Sequence, residues 1–169
     1  GKVFFSGREV VAYHNDPKKT AAARSPQGYS TMGDLGYVDA DGYLFLTDRD
    51  AFTIISGGVN VYPREVEEAL NTDSRVAEAA VFGSLDTDLG EVVTAVVELQ
   101  RDCEPTLGIA KMIRERLRGH LSPHKLPRKL AFVDQMPLTD SGKIHKARLR
   151  DTWESHCDHV YERTALDEK

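Results

Sequence analysis

The run Val92-Val93-Thr94-Ala95-Val96-Val97 constrains this chain more than any other stretch. Successive side chains of a strand point to opposite faces, so a strand that is apolar at nearly every position is one covered on both sides. The run therefore predicts a central strand of a sheet. It is also the longest apolar stretch, and it falls far short of the roughly 18 residues that a membrane span needs. An apolar share of 40% is ordinary for a packed protein and too high for a chain disordered throughout. Its 169 residues allow one domain, or a small domain with part of another.

The pattern around this strand divides the chain. Val3 to Phe5 and Tyr43 to Leu46 read as short strands, with Asp39-Ala40-Asp41-Gly42 as a turn cluster. This first part is β-rich with few helical signals. It opens without an initiator Met and its first strand has no obvious partner, which suggests a piece of something larger. After Arg49, Thr53 to Ile55 reads as a strand, and Pro63 opens a helix whose apolar face is Val66, Ala69 and Leu70. Glu65, Glu67 and Glu68 load its first turns with negative charge. Val76 to Phe82 is a further strand. Thr106 is placed to cap a helix with the stripe Ala110, Ile113, Leu117 and Leu121, ended by Ser122-Pro123. A strand over Leu130 to Val133, a Pro/Gly-bearing loop and a polar helix over Lys146 to Trp153 follow, and the segment after Trp153 is expected to fray. The expectation is a β-rich piece, a junction near residues 48–52 and an α+β domain of about 100 residues.

Charge is uneven. Residues 1–100 carry 8 basic and 16 acidic side chains, whereas residues 101–150 carry 12 and 5. The basic segment would suit a polyphosphate ligand or simply form a solvated face. It lacks interleaved aromatics, and the whole chain has a net charge of −5, so a nucleic-acid module is disfavoured. Cys103 and Cys157 cannot brace a disulfide scaffold, and the opening residues lack a secretory pattern. The expected location is cytoplasmic, with peripheral membrane association as the variant.

Four local patterns could carry chemistry. In Tyr29-Ser30-Thr31-Met32-Gly33-Asp34, a carboxylate on a glycine turn offers two acceptors to the neighbouring hydroxyls of a ribose, or serves the turn itself. Asp48-Arg49 precedes Ile54-Ile55-Ser56-Gly57-Gly58: the guanidinium fork suits phosphate or ribose oxygens, and the glycines allow close backbone approach. The alternative is a salt-bridged Arg beside a hairpin turn. Pro137-Leu138-Thr139-Asp140-Ser141-Gly142-Lys143 could extend a compact positive charge into a site, without the spacing of a Walker-type loop. His156, Cys157 and His159, or His120 and His124, could suggest zinc. Pro123 interrupts the second pair and no cysteine pair completes a set, so no metal site is expected here.

In combination the patterns are far more specific. GYSTMGDLGYVDADGYLFLTDRDAFTIISGGVNVYPREVEEAL followed by PLTDSGKIHKARL resembles the C-terminal part of the AMP-forming adenylating superfamily, which includes acyl-CoA synthetases, luciferases and peptide-synthetase adenylation domains. SGGVNVYPREVE is most similar to fatty acid–CoA ligases. The resemblance implies an α+β chain in which residues 1–48 end a large adenylating domain. Residues 49–152 would then form a small, three-layer-like lid, and 153–169 a polar tail. It implies ATP, CoA and a fatty acid as substrates, with Mg2+ held in the large domain. Asp34 then matches the ribose-binding carboxylate, Arg49 the arginine at the ribose and phosphates, and Leu46 a packing residue near the nucleotide. Gly57 and Gly58 match the loop along the CoA pantetheine, and Lys143 the lysine bridging the substrate carboxylate and the α-phosphate. Arg49, Asp50 and Ala51 match the hinge, where many relatives carry Asp or Lys in place of Ala51. Phosphate loop, adenine segment, magnesium carboxylate and acyl tunnel would lie in a separate N-terminal part. The chain is accordingly expected to be inactive alone, and a non-catalytic fragment, or a lid that complements a separate N-terminal half, is the rival reading. An aryl or amino acid adenylating enzyme is the rival within the enzyme class.

Overall fold

The computed structural model describes residues 1–7, 12–157 and 159–167. The chain divides into two compact units, Gly1–Phe52 and Thr53–Lys169.

In the first unit, helix α1 (Pro17–Ala22) precedes the antiparallel ribbon of β1 (Asp34–Val38) and β2 (Leu44–Arg49). The helix adds to the expected β-rich start, in which helical signals are few. Its signals are local: the Asp16 side chain accepts from the Lys19 N–H at 2.9 Å, and Pro17 opens the first turn. The opening segment also has partners within the chain, contrary to expectation. Lys2 bridges Leu35 and Phe5 bridges Ser30, isolated pairs in place of a continuous strand. At the ribbon's turn Gly42 takes φ 87°, and Asp39 accepts from the N–H groups of Asp41 and Tyr43. Tyr37, Tyr43 and Phe45 are exposed on the ribbon, and the rings of Tyr37 and Phe45 stack at 5.3 Å.

The second unit is a mixed sheet between helices. Its elements are β3 (Ile54–Ser56), β4 (Val59–Val61), α2 (Pro63–Asn71), β5 (Val76–Asp86), β6 (Gly90–Leu99), α3 (Leu107–Arg118), β7 (Lys129–Val133), α4 (Lys146–His156), β8 (His159–Glu162) and α5 (Arg163–Asp167). Among the described residues β6 pairs with β3, β5 and β7, so the Val92 run is central as expected. β7 runs parallel to β6, and α3 lies in the crossover that such a pairing requires. Cover on both faces explains why the centres of β5, β6 and β7 are apolar at nearly every position. Val81, Val93, Ala95, Val97, Leu130 and Phe132 meet α2 and α3 on one face. Ala80, Phe82, Val96 and Ala131 meet Leu149 and Trp153 of α4 on the other. Thr94, the one polar residue in the run, shares a 2.6 Å hydrogen bond with the Ser84 hydroxyl, so burial leaves it satisfied.

The helices keep the expected stripes: Val66, Ala69 and Leu70 on α2, and Ala110, Ile113 and Leu117 on α3, are buried. The Thr106 side chain caps α3 by accepting from the Ile109 N–H at 3.2 Å. The α3 helix stops at Arg118, before the predicted Ser122-Pro123 boundary, although hydrogen bonds from the Gly119, His120 and Leu121 N–H groups carry a last turn past it. The α2 acids do more than meet a helix dipole. Glu65 pairs with Lys125, and Glu67 pairs with Lys146 at 2.7 Å while accepting from the Val81 N–H at 2.7 Å.

The segment after Trp153 is the largest correction. Instead of fraying, α4 continues to His156, β8 pairs antiparallel with β7, and Leu166 of α5 is buried in the main core. The edge of β7 and the apolar surface around Phe132 and Leu126 needed a cover, and this segment supplies it. Asp158, Glu168 and Lys169 of the expected tail lie outside the described residues.

A buried ion pair ties the end of α2 to β5. Asp73, 3% exposed, accepts from Arg75 Nε at 2.8 Å and from its second terminal nitrogen at 2.6 Å. The Arg75 hydrogen bonds hold the Asp73 carboxyl below the ordinary carboxylate value of 3.8. A carboxyl lowered in the folded state stabilises the fold above its unfolded value, and that stabilisation is lost as pH falls through the folded value. Asp73→Asn should cost about 2 kcal/mol at neutral pH. The gap between the variant and the parent should close as pH drops below 3.8. Urea melts at pH 7 and pH 3 check this; a gap of equal size at both would show that the charge is not responsible.

Candidate active site

The first candidate group lies in the ribbon. Val38 pairs with Leu44 and Gly36 with Leu46, but the register then shifts by one, so that Leu35 pairs with Asp48 and Asp34 with Arg49. Without the shift Asp34 would oppose Asp48, two carboxylates across a ladder, which is unfavourable. The extra residue is Thr47, whose hydroxyl donates to the Leu35 carbonyl at 3.3 Å. The absence of a side chain at Gly36 permits the close approach there, since a Cβ would stand 2.5 Å from the Phe45 carbonyl oxygen. The bulge thus brings Arg49 Nε to 3.3 Å from Asp34 Oδ1.

Backbone contacts clamp this pair from both sides. Gly33 takes φ 83°, and its carbonyl accepts from the Asp50 N–H at 2.8 Å while its N–H donates to the Thr31 hydroxyl at 3.0 Å. Asp34 is 22% exposed and Arg49 63%, so the carboxylate is the more sheltered partner and the guanidinium faces solvent. An ion pair this exposed adds little stability, about 0–1 kcal/mol. Leu46 is half-exposed on the same strand. Asp50, Ala51 and Phe52 form a single 3₁₀ turn at the end of the unit, with Asp50 paired to Lys2 at 2.9 Å.

The second group is the Gly57-Gly58 turn. Both residues have positive φ, 56° and 81°, the conformation of the two-residue turn that matches strand twist. Ser56 pairs with Gly90, and the Gly57 N–H donates to the Leu89 carbonyl at 3.0 Å, so the turn is fastened to the β5–β6 connection. Gly57 lines a cleft of about 650 Å³ whose wall is rich in arginine: Arg114, Arg118, Arg128 and Arg163.

The third group is Lys143. Leu138 bridges Ile144, the Thr139 N–H donates to the Lys143 carbonyl at 2.7 Å, and the Lys143 N–H donates to the Thr139 hydroxyl at 3.2 Å. Gly142, at φ 77°, closes this small hairpin. At its base the His145 N–H donates to the Pro137 carbonyl at 2.7 Å, and Lys146 is held by Glu67. The hairpin is therefore held by its backbone while the Lys143 side chain is exposed. Among the described residues no carboxylate lies within ion-pair distance of its ammonium.

The expected residues thus fall into three sites. Asp34 and Arg49 are brought together in the first unit. Within the second, the Lys143 hairpin contributes no residue to the cleft at Gly57. Sequence reasoning missed the bulge, the Glu67–Lys146 anchor and the buried Arg114; of these only Arg114, inside an apolar stripe, left a signal. Among the described residues no group of three or more His, Cys, Asp or Glu side chains could hold a metal ion. No helix of the described residues is long and apolar enough to cross a membrane.

Residues 65–143 match the AMP-binding enzyme C-terminal domain. The chain is 38% identical to an indoleacetate–CoA ligase of Aromatoleum aromaticum over 89% of its own length and 29% of that protein's. It is 38% identical to a long-chain-fatty-acid–CoA ligase of Bacillus subtilis, over 88% of this chain and 26% of the relative. Among solved structures, ATP-bound MatB from Rhodopseudomonas palustris superposes with a TM-score of 0.74 at 35% identity, covering 83% of this chain and 27% of that one. The chain spans less than a third of the length of each of these relatives.

Proposed function

From the premise that the chain belongs to the adenylate-forming enzyme family and carries its C-terminal domain, we propose that it is the C-terminal portion of an ATP-dependent, AMP-forming fatty-acid–CoA ligase. In this reading residues 1–48 end the large adenylating domain and residues 49–152 form the lid. A fatty carboxylate oxygen attacks the α-phosphorus, the bond to pyrophosphate breaks, and the acyl-adenylate forms. The CoA thiol then loses its proton and attacks the acyl carbonyl, and AMP leaves with the electron pair of the broken acyl–oxygen bond.

The observation that carries this reading is the bulged register that sets Arg49 opposite Asp34, because it presents a sheltered acceptor pair beside an exposed guanidinium. That combination suits ribose hydroxyls and an adjacent phosphate. Lys143, projecting from a backbone-fixed hairpin without a carboxylate partner among the described residues, suits charge gathering on the α-phosphate. Gly57 and Gly58 offer a surface without side chains past which a thin pantetheine arm can run. The Ala51 position gives the hinge a small neutral side chain, and a lid rotation about it would exchange Lys143 for the glycine turn between half-reactions. A second reading, an aryl acid as substrate, is favoured by the indoleacetate–CoA ligase among the relatives.

The test is direct. The purified chain with magnesium, ATP, CoA and a panel of fatty and aryl acids should produce neither AMP nor acyl-CoA, because most of the nucleotide site and the acyl pocket belong to the large domain. Adding a matching N-terminal half should restore turnover, and the acid that turns over fastest identifies the substrate class. Turnover by the chain alone would mean that the nucleotide site has been misplaced.

A further inference from the structure

The cleft beside Gly57 contains an internal anion. Asp167 of α5 pairs with Arg114, Arg118 and Arg163, so a single carboxylate faces three guanidiniums. Glu115 reaches Arg118 from the rim, and Arg128 lines the cleft without an ion pair among the described residues. The cationic groups therefore outnumber the anionic ones in a half-open cleft of about 650 Å³, large enough for a small molecule. Val93, Leu121 and Leu126 make its floor apolar, which strengthens electrostatics within it.

Arg114 is the decisive group. It is 4% exposed, and its Nε is committed to the Pro127 carbonyl at 3.1 Å, so its terminal nitrogens depend on Asp167 for compensation. A buried guanidinium stripped of its partner is costly, so if Asp167 leaves, another anion must take its place. The element carrying Asp167 depends on docking for its order. The α5 helix has five residues, too few to persist without docking, and the buried Leu166 and Asp167 ion pairs hold it. Burial works to raise the Asp167 carboxyl, but the hydrogen bonds from Arg114 and Arg163 outweigh it and keep the group ionised well below neutral pH.

We propose that α5 is an intramolecular latch: Asp167 holds the place of a phosphoanhydride in the arginine-lined cleft, and a small molecule bearing a diphosphate displaces the helix when it enters. Arg114, Arg118 and Arg128 then remain on the cleft wall to receive the two phosphates, while Arg163 leaves with α5. The latch belongs to the second unit and does not depend on the ligase reading, since binding to the chain alone reports it.

Inorganic pyrophosphate is the probe, titrated calorimetrically into the 169-residue chain at fixed ionic strength. Asp167→Asn, which keeps hydrogen bonding but removes the competing charge, should bind pyrophosphate about ten-fold more tightly than the parent. Arg128→Gln should weaken binding by a similar factor without changing the amide exchange of residues 163–167 in the absence of ligand. In the parent chain, saturating pyrophosphate should accelerate hydrogen exchange in residues 163–167 with a half-point matching the calorimetric one. That last measurement needs no variant and decides the matter should Asp167→Asn fail to fold. Equal or weaker binding by a folded Asp167→Asn, unchanged or slowed exchange at saturation, or no pyrophosphate binding by either protein would each overturn the latch.

Discussion

Lys143→Ala should slow acyl-adenylate formation by about 10²–10³-fold in the reconstituted enzyme, while thioester formation from a preformed acyl-adenylate stays within a few-fold of the parent. The reasoning starts from the hairpin. Its geometry rests on backbone hydrogen bonds between Thr139 and Lys143 and on the His145–Pro137 bond below them, none of which involves the Lys143 ammonium. Removing the side chain therefore deletes a charge and leaves the loop in place, so stability should change by no more than about 0.5 kcal/mol. Adenylation gathers negative charge around phosphorus, and a positioned ammonium stabilises that charge more in the transition state than in the ground state. Attack of the thiol on the acyl carbonyl releases AMP and has no such demand at the same position. Lys143→Arg should recover part of the loss, because it keeps the charge but spreads it over a larger, planar group. Pyrophosphate exchange into ATP and acyl-CoA release from synthetic acyl-adenylate separate the two steps. Equal losses in both would reduce Lys143 to a general contributor to lid docking.

How far these features were readable depends on whether they are local. The Val92 run announced a strand buried on both faces, and the stripes on α2 and α3 announced the helices that cover one of them. Those are periodic signals. The α1 helix was announced too, by Asp16 and Pro17, but six residues provide too little periodicity to stand out against a β-rich background. The pairing of Asp34 with Arg49 was legible only as a separation along the chain. A regular ladder counted outward from the Asp39–Gly42 turn would have put Asp48 there, and the one-residue shift that corrects it follows from close packing at Gly36. Ion pairs such as Glu67 with Lys146 join residues 79 apart, and Arg114 meets Asp167 across 53. Nothing in either neighbourhood encodes the partner; the sheet and its crossover bring them together. The segment after Trp153 was misread for the same reason. Its order derives from an edge of β7 and a buried arginine far away in sequence, not from its own periodicity.

Trp153→Ala should cost the second unit about 3–5 kcal/mol, the largest effect expected of any single change to its packing. The face of the sheet covered by α4 has a small core: Ala80, Phe82, Val96, Ala131 and Met136 receive only Leu149, Trp153 and Cys157 from the helix and its end. Trp153 is the largest of these; its ring meets Phe82 at 6.3 Å and lies beneath the Lys129 ammonium. Truncation would leave a cavity that neither a β-strand nor a helix pinned at Leu149 can collapse to fill. The other face, with α2 and α3, keeps its own core, so loss should begin with α4. The Lys143 hairpin adjoins the start of α4, and after the substitution its hold on the sheet would rest on the Glu67–Lys146 pair, which a loosened helix strains. Thermal melts by circular dichroism should show the transition lowered by more than 10 °C, and Trp153→Phe should recover most of the loss because a ring still fills the space. As Trp153 is the only tryptophan, the parent's emission reports the same event: mild urea should shift it to the red before the sheet melts. A loss under about 1 kcal/mol would mean that α4 is held chiefly by Glu67 and the loop, and that the hairpin owes its position to charge and not to packing.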